Sequence, residues 1–169
     1  MARIRYGGEA EAEDITAFPH RCAALWSSQL IVVLDTGGVE GVAPIDETRR
    51  ARLRLLRERA DDLVMPAAVL AESVLTEHPG HDFHVGRLLG LLTITDIDPP
   101  MGHPAGRLRR GAMAGGGDPP PSGVDSLVVA EADARAVNDD VVILTSDGGD
   151  FELLGALATH ASRLSVLVV

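Results

Sequence analysis

Two aspartates stand where a chain that alternates strands with helices places its chemistry. Asp35 ends the run Leu30-Ile31-Val32-Val33-Leu34, and Asp147 follows Val141-Val142-Ile143-Leu144 after Thr145 and Ser146, with Asp150 close behind. Continuous apolar, β-branched runs of this length read as strands buried on both faces. In an open parallel sheet the functional crevice lies beyond the carboxyl ends of such strands, near the point where strand order reverses. Carboxylates crowded there raise one another's pKa unless a cation neutralises them. Oxygen donors with no histidine or thiolate nearby suit Mg2+ or Mn2+. Taken singly, each aspartate reads equally well as a cap for the helix that follows it.

Two further acids strengthen the case. Glu72 lies in the helix-like run Ala67-Ala68-Val69-Leu70-Ala71-Glu72-Ser73-Val74-Leu75, and Asp125 heads Val124-Asp125-Ser126-Leu127-Val128-Val129-Ala130. Helices this apolar are expected to turn toward a core, so a solvent-facing explanation fits either acid poorly.

The elements that must position these acids follow from periodicity. Strands are predicted at 30–34, 63–65, 92–97, 141–144 and 164–168, and helices at 48–60, 67–76, 85–92, 124–137 and 151–160. Gly37, Gly38 and Gly41 allow a tight turn after the first strand, Pro79 and Gly80 break a helix, and 115–121 is a Gly/Pro-rich loop. The Gly- and Arg-bearing segment 107–111 belongs to no predicted element. The alternation predicts an α/β fold: one domain, with a mostly parallel central sheet of four or five strands and helices on both faces. Residues 1–29 lack sustained periodicity and read as an N-terminal extension, irregular or with a short helix, ahead of a domain spanning 30–169.

Composition removes several classes of function. All fifteen basic residues are arginine, so a P-loop and a Schiff-base enzyme, which need lysine, are excluded. At 3% aromatic content the chain lacks the stacking platform of a single-strand binder. The single cysteine, Cys22, can form neither an internal disulfide nor a thiolate metal site. No uninterrupted apolar run reaches the roughly 18 residues of a membrane span, and residues 1–13 carry no apolar signal core, so a cytoplasmic protein is expected. The net charge of −10 repels nucleic acid from the molecule as a whole, which makes the placement of charge more informative than its sum.

Four segments, in order, resemble the PIN-domain family and within it the VapC-type toxins of bacterial toxin–antitoxin modules. They are Val33-Leu34-Asp35-Thr36-Gly37, Pro66-Ala67-Ala68-Val69-Leu70-Ala71-Glu72, Val124-Asp125-Ser126-Leu127-Val128, and Leu144-Thr145-Ser146-Asp147-Gly148-Gly149-Asp150. Each is short; their order and spacing over about residues 30 to 169 give the likeness its specificity. The resemblance implies a PIN-like fold and an endoribonuclease that requires Mg2+ or Mn2+. It also implies a homodimer and inhibition by a small antitoxin protein. It places a four-carboxylate site on Asp35, Glu72, Asp125 and Asp147, with Asp150 as a fifth acid and Ser146 or Thr145 as a neighbouring hydroxyl. Metal ligation would fall to Asp35, Asp125, Asp147 and Asp150. The chain departs from the pattern in its extension and at Gly38, where alanine is more usual and glycine is expected to loosen the first helix.

Other features admit two readings. The arginines of 49–59, Arg49 and Arg50 foremost, could meet an RNA backbone or form a solvated face paired with Asp46, Glu47 and Glu58; Arg107, Arg109 and Arg110 are the second candidates. His78, His81 and His84 recur at every third position, but Pro79 and Gly80 interrupt any shared helical face, so a zinc site is not expected. A non-catalytic PIN-fold binding module and a metal-dependent phosphatase are the alternative functions. The latter commonly needs a second aspartate two residues after the first, where this chain has Gly37.

Overall fold

The computed structural model describes residues 28–73, 79–116 and 119–169. Its elements run β1 (Leu30–Leu34), α1 (Thr36–Val42), α2 (Glu47–Arg59), β2 (Asp62–Pro66), α3 (Ala67–Ser73), α4 (Pro79–Leu89), β3 (Thr93–Thr95) and α5 (Pro99–Ala114). The chain continues through α6 (Gly123–Arg135), β4 (Asp140–Thr145), α7 (Gly148–Ala156), a 3-10 turn (Ala161–Arg163) and β5 (Leu164–Val168).

The strands form one five-stranded sheet in the order β3-β2-β1-β4-β5, and all four pairings are parallel. The apolar run of β1 is buried along its whole length, as expected of a strand covered on both faces. The edge strands carry mixed sequences and are partly exposed, Thr93-Ile94-Thr95 most of all. Val128, Val129 and Ala132 of α6, Phe151 and Leu154 of α7, and Leu53 and Leu56 of α2 join the strand side chains in a single core. From β1 the chain adds β2 and β3 on one side, then returns to add β4 and β5 on the other. The order therefore reverses between β1 and β4, which opens the crevice beyond their carboxyl ends.

The structure corrects the sequence reading in four places. The expected glycine turn after β1 is the seven-residue helix α1, with Asp35 as its N-cap. Pro79 opens α4, ahead of the expected start at 85, at a position where the missing N–H costs nothing. The segment around Arg107 belongs to α5, at sixteen residues the longest helix among those described. Prolines 99, 100 and 104 and glycines 102, 106 and 111 hid its periodicity. Yet the Asp98 side chain caps it by accepting from the Met101 N–H, and Ala105, Leu108 and Ala112 form its buried stripe. Lastly, Gly38 does not loosen α1. A Cβ there would lie 2.1 Å from the Leu144 carbonyl oxygen, so glycine is what lets α1 press against the end of β4.

Ser28 and Gln29, assigned to the extension, are tied to the domain: the Ser28 hydroxyl donates to Asp140 at 3.1 Å and the Gln29 N–H to Asp139 at 3.0 Å. Residues 1–27, 74–78 and 117–118 lie outside the described residues, and with them the expected end of the 67–76 helix, part of the 115–121 loop and His78.

Candidate active site

Asp35 is placed by two constraints at once. β1 carries it to the sheet edge, and α1 begins on it, so its Oδ1 accepts the Gly38 N–H as a helix cap. Its Oδ2 accepts the Thr145 hydroxyl at 2.7 Å from the end of the neighbouring strand β4. Thr145 is fully buried and also receives the Asp147 N–H at 3.0 Å, so one hydroxyl joins the ends of β1 and β4 to the loop bearing Asp147. Asp35 is only 8% exposed. Burial pushes its carboxyl from 3.8 up to about 6; the hydrogen bonds from Thr145 and Gly38 oppose that rise, and the negative charges of Asp125 and Glu72 add to it.

The other acids approach from three further elements. Asp147 caps α7 by accepting the Gly149 N–H at 3.1 Å. Asp150, in the first turn of α7, has its carboxyl pushed up from its ordinary value by burial, then by the charges of Asp125 and Asp147. Asp125 lies in the first turn of α6 in a reciprocal cap with Ser122: its carboxylate accepts the Ser122 N–H at 2.9 Å, and its own N–H donates to the Ser122 hydroxyl at 3.0 Å. Glu72 corrects the expectation of a core-facing side chain. It is exposed at the end of α3 and accepts the Thr36 hydroxyl at 2.8 Å.

Charge thus reaches Asp35 from Asp125 and Glu72, and Asp150 from Asp125 and Asp147, around the switch point. Capping explains Asp35, Asp125 and Asp147 one at a time. It does not explain why acids from the ends of β1 and β4 and from the helices α3, α6 and α7 gather where ionising Asp35 and Asp150 is made more costly by their neighbours. They do so without closing on a point, since among the described residues no three His, Cys, Asp or Glu side chains form a ready-made metal pocket. The donor chemistry still fits a hard divalent cation: the donors are carboxylate oxygens, each retaining lone pairs beyond its local hydrogen bond, and a cation would take the place of the proton that burial favours on Asp35. One positioning residue escaped the sequence reading, Thr36, although it follows the first acid directly. Ser122, readable from the sequence as the cap of the helix that carries Asp125 in its first turn, caps it in the structure.

Ser146 is exposed beside the crevice, and its backbone N and Oγ lie where a Cβ on Gly37 would fall, at 2.6 and 2.1 Å. A side chain at position 37, where the phosphatase arrangement has its second aspartate, would therefore collide with Ser146. Arg49 and Arg50 pair with Asp46 and Glu47 at 3.7 and 3.0 Å, the solvated-face arrangement. Arg109 donates to the Pro121 carbonyl at 3.0 Å, while Arg107 and Arg110 are exposed on α5. Among the described residues no helix is long and apolar enough to cross a membrane.

No family model matches this chain, and no curated protein matches it in sequence. Solved structures do match its fold. A chain of VapBC2 from Rickettsia felis, bound in that crystal to a DNA fragment from its promoter, superposes with a TM-score of 0.58 at 17% identity, over 81% of this chain and 98% of that one. FitAcB from Neisseria gonorrhoeae gives 0.55 at 18% identity, over 80% and 96%. VapC20 of Mycobacterium tuberculosis, described as a toxin that cleaves the sarcin–ricin loop, gives 0.51 at 16% identity, over 72% and 93%. The described chain thus has the PIN-like α/β fold that its motifs resemble, with each of those chains matched over nearly its full length.

Proposed function

We propose that this PIN-like chain is a divalent-metal-dependent endoribonuclease, the toxin of a toxin–antitoxin pair. The observation that carries the reading is the gathering of Asp35, Glu72, Asp125, Asp147 and Asp150 around the switch-point crevice, in a fold shared with a toxin described as cleaving RNA. Mg2+ or Mn2+ held by Asp35, Asp125, Asp147 and Asp150 would lower the pKa of a bound water and offset the charge on the scissile phosphate. The rest of the work falls to the chain. Thr145 and the Gly38 N–H fix Asp35, and the Ser122 cap fixes Asp125, so the carboxylates need little reordering to face a phosphate. Glu72, exposed and held by the Thr36 hydroxyl, can serve as a further ligand or take the proton of the attacking water. Water adds to phosphorus as the bond to the 3′ oxygen breaks, leaving a 3′-hydroxyl, protonated from solvent, and a 5′-phosphate.

The likeness to VapBC2 and FitAcB supports a small antitoxin partner, and a homodimer is proposed from the family resemblance of the motifs. A crevice lined with carboxylates is a ready receptor for an inhibitor's arginine or lysine. The reading is tested by incubating the protein with labelled RNA and with a generic phosphate monoester, with and without Mn2+. Internal cleavage of RNA that stops on chelation supports it; turnover of the ester alone, or no turnover of either, contradicts it.

A further inference from the structure

The amino end of the sheet, opposite the carboxylates, is where residues 1–27 join the domain. α6 starts at the crevice with Asp125 and runs to the amino end of β4. There the Asp139 N–H folds back to donate to the Arg135 carbonyl at 3.3 Å. Ser28 and Gln29 are fastened to this turn, by the Ser28 hydroxyl on Asp140 at 3.1 Å and the Gln29 N–H on Asp139 at 3.0 Å. The Asp140 N–H returns a bond to the Gln29 carbonyl at 3.0 Å. The chain before Ser28 therefore emerges beside the last turn of α6.

A groove opens at the same place. It lies between α5 and the ends of α6 and α7, measures about 190 Å³, and is lined by Pro104, Leu108 and Leu157 together with Arg107 and Asp133. Asp133 stands two residues before Arg135, roughly 3 Å of helix rise, so groove and entry point share one helical turn. Leu157 is 45% exposed although its neighbours are apolar. An apolar cavity of roughly 150 Å³ is enough to take up benzene, so the groove has room for one aromatic ring. Asp133 does not neutralise Arg107, because its carboxylate is filled by the N–H groups of Thr159 and His160, at 3.1 and 2.7 Å, and by the His160 imidazole at 3.0 Å. Arg110 follows one turn later on the same face of α5, a helix without an acid. Arg107 and Arg110 are exposed and pair with no carboxylate among the described residues.

The chain that enters beside this groove has the complementary composition. Glu9, Glu11, Glu13 and Asp14 are its acids, and Phe18, Leu25 and Trp26 its large apolar side chains. Phe18 stands ten residues before Ser28, a reach of up to about 33 Å in extended chain. We infer that residues 9–26 fold back onto the α5 groove, with an aromatic ring of the 18–26 stretch against Leu157 and the acids of 9–14 beside Arg107 and Arg110. Covering Leu157 removes apolar surface from water, and the carboxylates supply the planar partners that guanidinium groups bind in a bidentate manner. The contact lies at the end of the sheet away from the crevice, so it leaves the carboxylates open and does not depend on the nuclease reading.

The test uses the full chain and two reporters inside the segment: tryptic cleavage after Arg21, followed by mass spectrometry, and the fluorescence of Trp26, the only tryptophan. Wild type is compared with Leu157→Asp, Arg107→Glu/Arg110→Glu and, as a control on another helix, Phe83→Asp. All four positions are exposed, so each variant should keep a cooperative melt. Cleavage of a docked segment follows the fraction of molecules in which it is released, so Leu157→Asp and the double variant should each speed the cut after Arg21 about tenfold. Trp26 emission should shift to the red in both, and added salt should release the segment in wild type but not in the double variant. Phe83→Asp should behave as wild type. Trp26 emission in wild type like that of free tryptophan, unchanged cleavage in both groove variants, or an equal acceleration in Phe83→Asp overturns the inference.

Discussion

Asp35→Asn and Asp125→Asn should each lower RNA cleavage at least about a hundredfold, because even residues that merely orient metal ligands cost 10- to 100-fold when removed. Stability should move the other way for Asp35. In the native state this buried carboxyl keeps its proton up to about pH 6, whereas the unfolded chain releases it near 3.8. Between those values the native state binds more protons, so raising the pH through this window favours unfolding; below 3.8 both states are protonated and no penalty exists. In chelator the wild type should thus lose stability between about pH 4 and 6, by up to about 3 kcal/mol. Asp35→Asn, which cannot ionise, should lack this loss and melt at or above the wild-type temperature at pH 8. An aspartate that acted only as a helix cap would give the reverse pattern: roughly 0.5 to 2 kcal/mol of stability lost on substitution, and cleavage nearly intact. RNA cleavage with Mn2+ and chelator melts across pH separate the two.

Gly38→Ala should destabilise the fold by about 1 to 3 kcal/mol, the usual cost of forcing an extra methyl into a packed core. The propensity argument alone gives the opposite sign, since alanine is preferred over glycine in a helix by roughly 0.5 to 1 kcal/mol. The contact decides: the new Cβ would meet the Leu144 carbonyl oxygen at 2.1 Å, and that atom is backbone of a central strand, with no side-chain freedom to yield. Gly155 in α7 supplies the contrast, because a Cβ there meets nothing within 4 Å. Gly155→Ala should raise stability by about 0.5 to 1 kcal/mol. Thermal melts of the two variants should move in opposite directions. Because the Gly38 Cβ would also approach Asp35 Oδ1 at 3.2 Å, the first substitution should reduce cleavage as well.

The parts of this protein that sequence reveals are those where one local rule dominates. Leu30–Leu34 is apolar throughout because both of its faces are covered, and the strand was read to the residue. The acids could be located because strand ends in a parallel sheet are exposed to one crevice, so Asp35 and Asp147 needed only the strands to be found. α5 was missed for the converse reason. Its proline- and glycine-rich composition argues against a helix, and what stabilises it is packing against α6, a tertiary term invisible to periodicity. Glu72 was misjudged similarly: Val69 on α3 is buried while Ala71 and Glu72 are exposed, so the helix was apolar without being core-facing all round.

The central claim is that these carboxylates form a metal site, and the most direct measurement is calorimetric titration of Mn2+ into metal-free protein. Wild type should bind saturably and release protons on binding below about pH 6, since a cation must displace the proton that burial holds on Asp35. Asp35→Asn/Asp147→Asn should bind at least about tenfold more weakly, with that proton release abolished. Wild type that takes up no Mn2+, or a double variant that binds it with unchanged affinity, would contradict the account and leave these aspartates as helix caps.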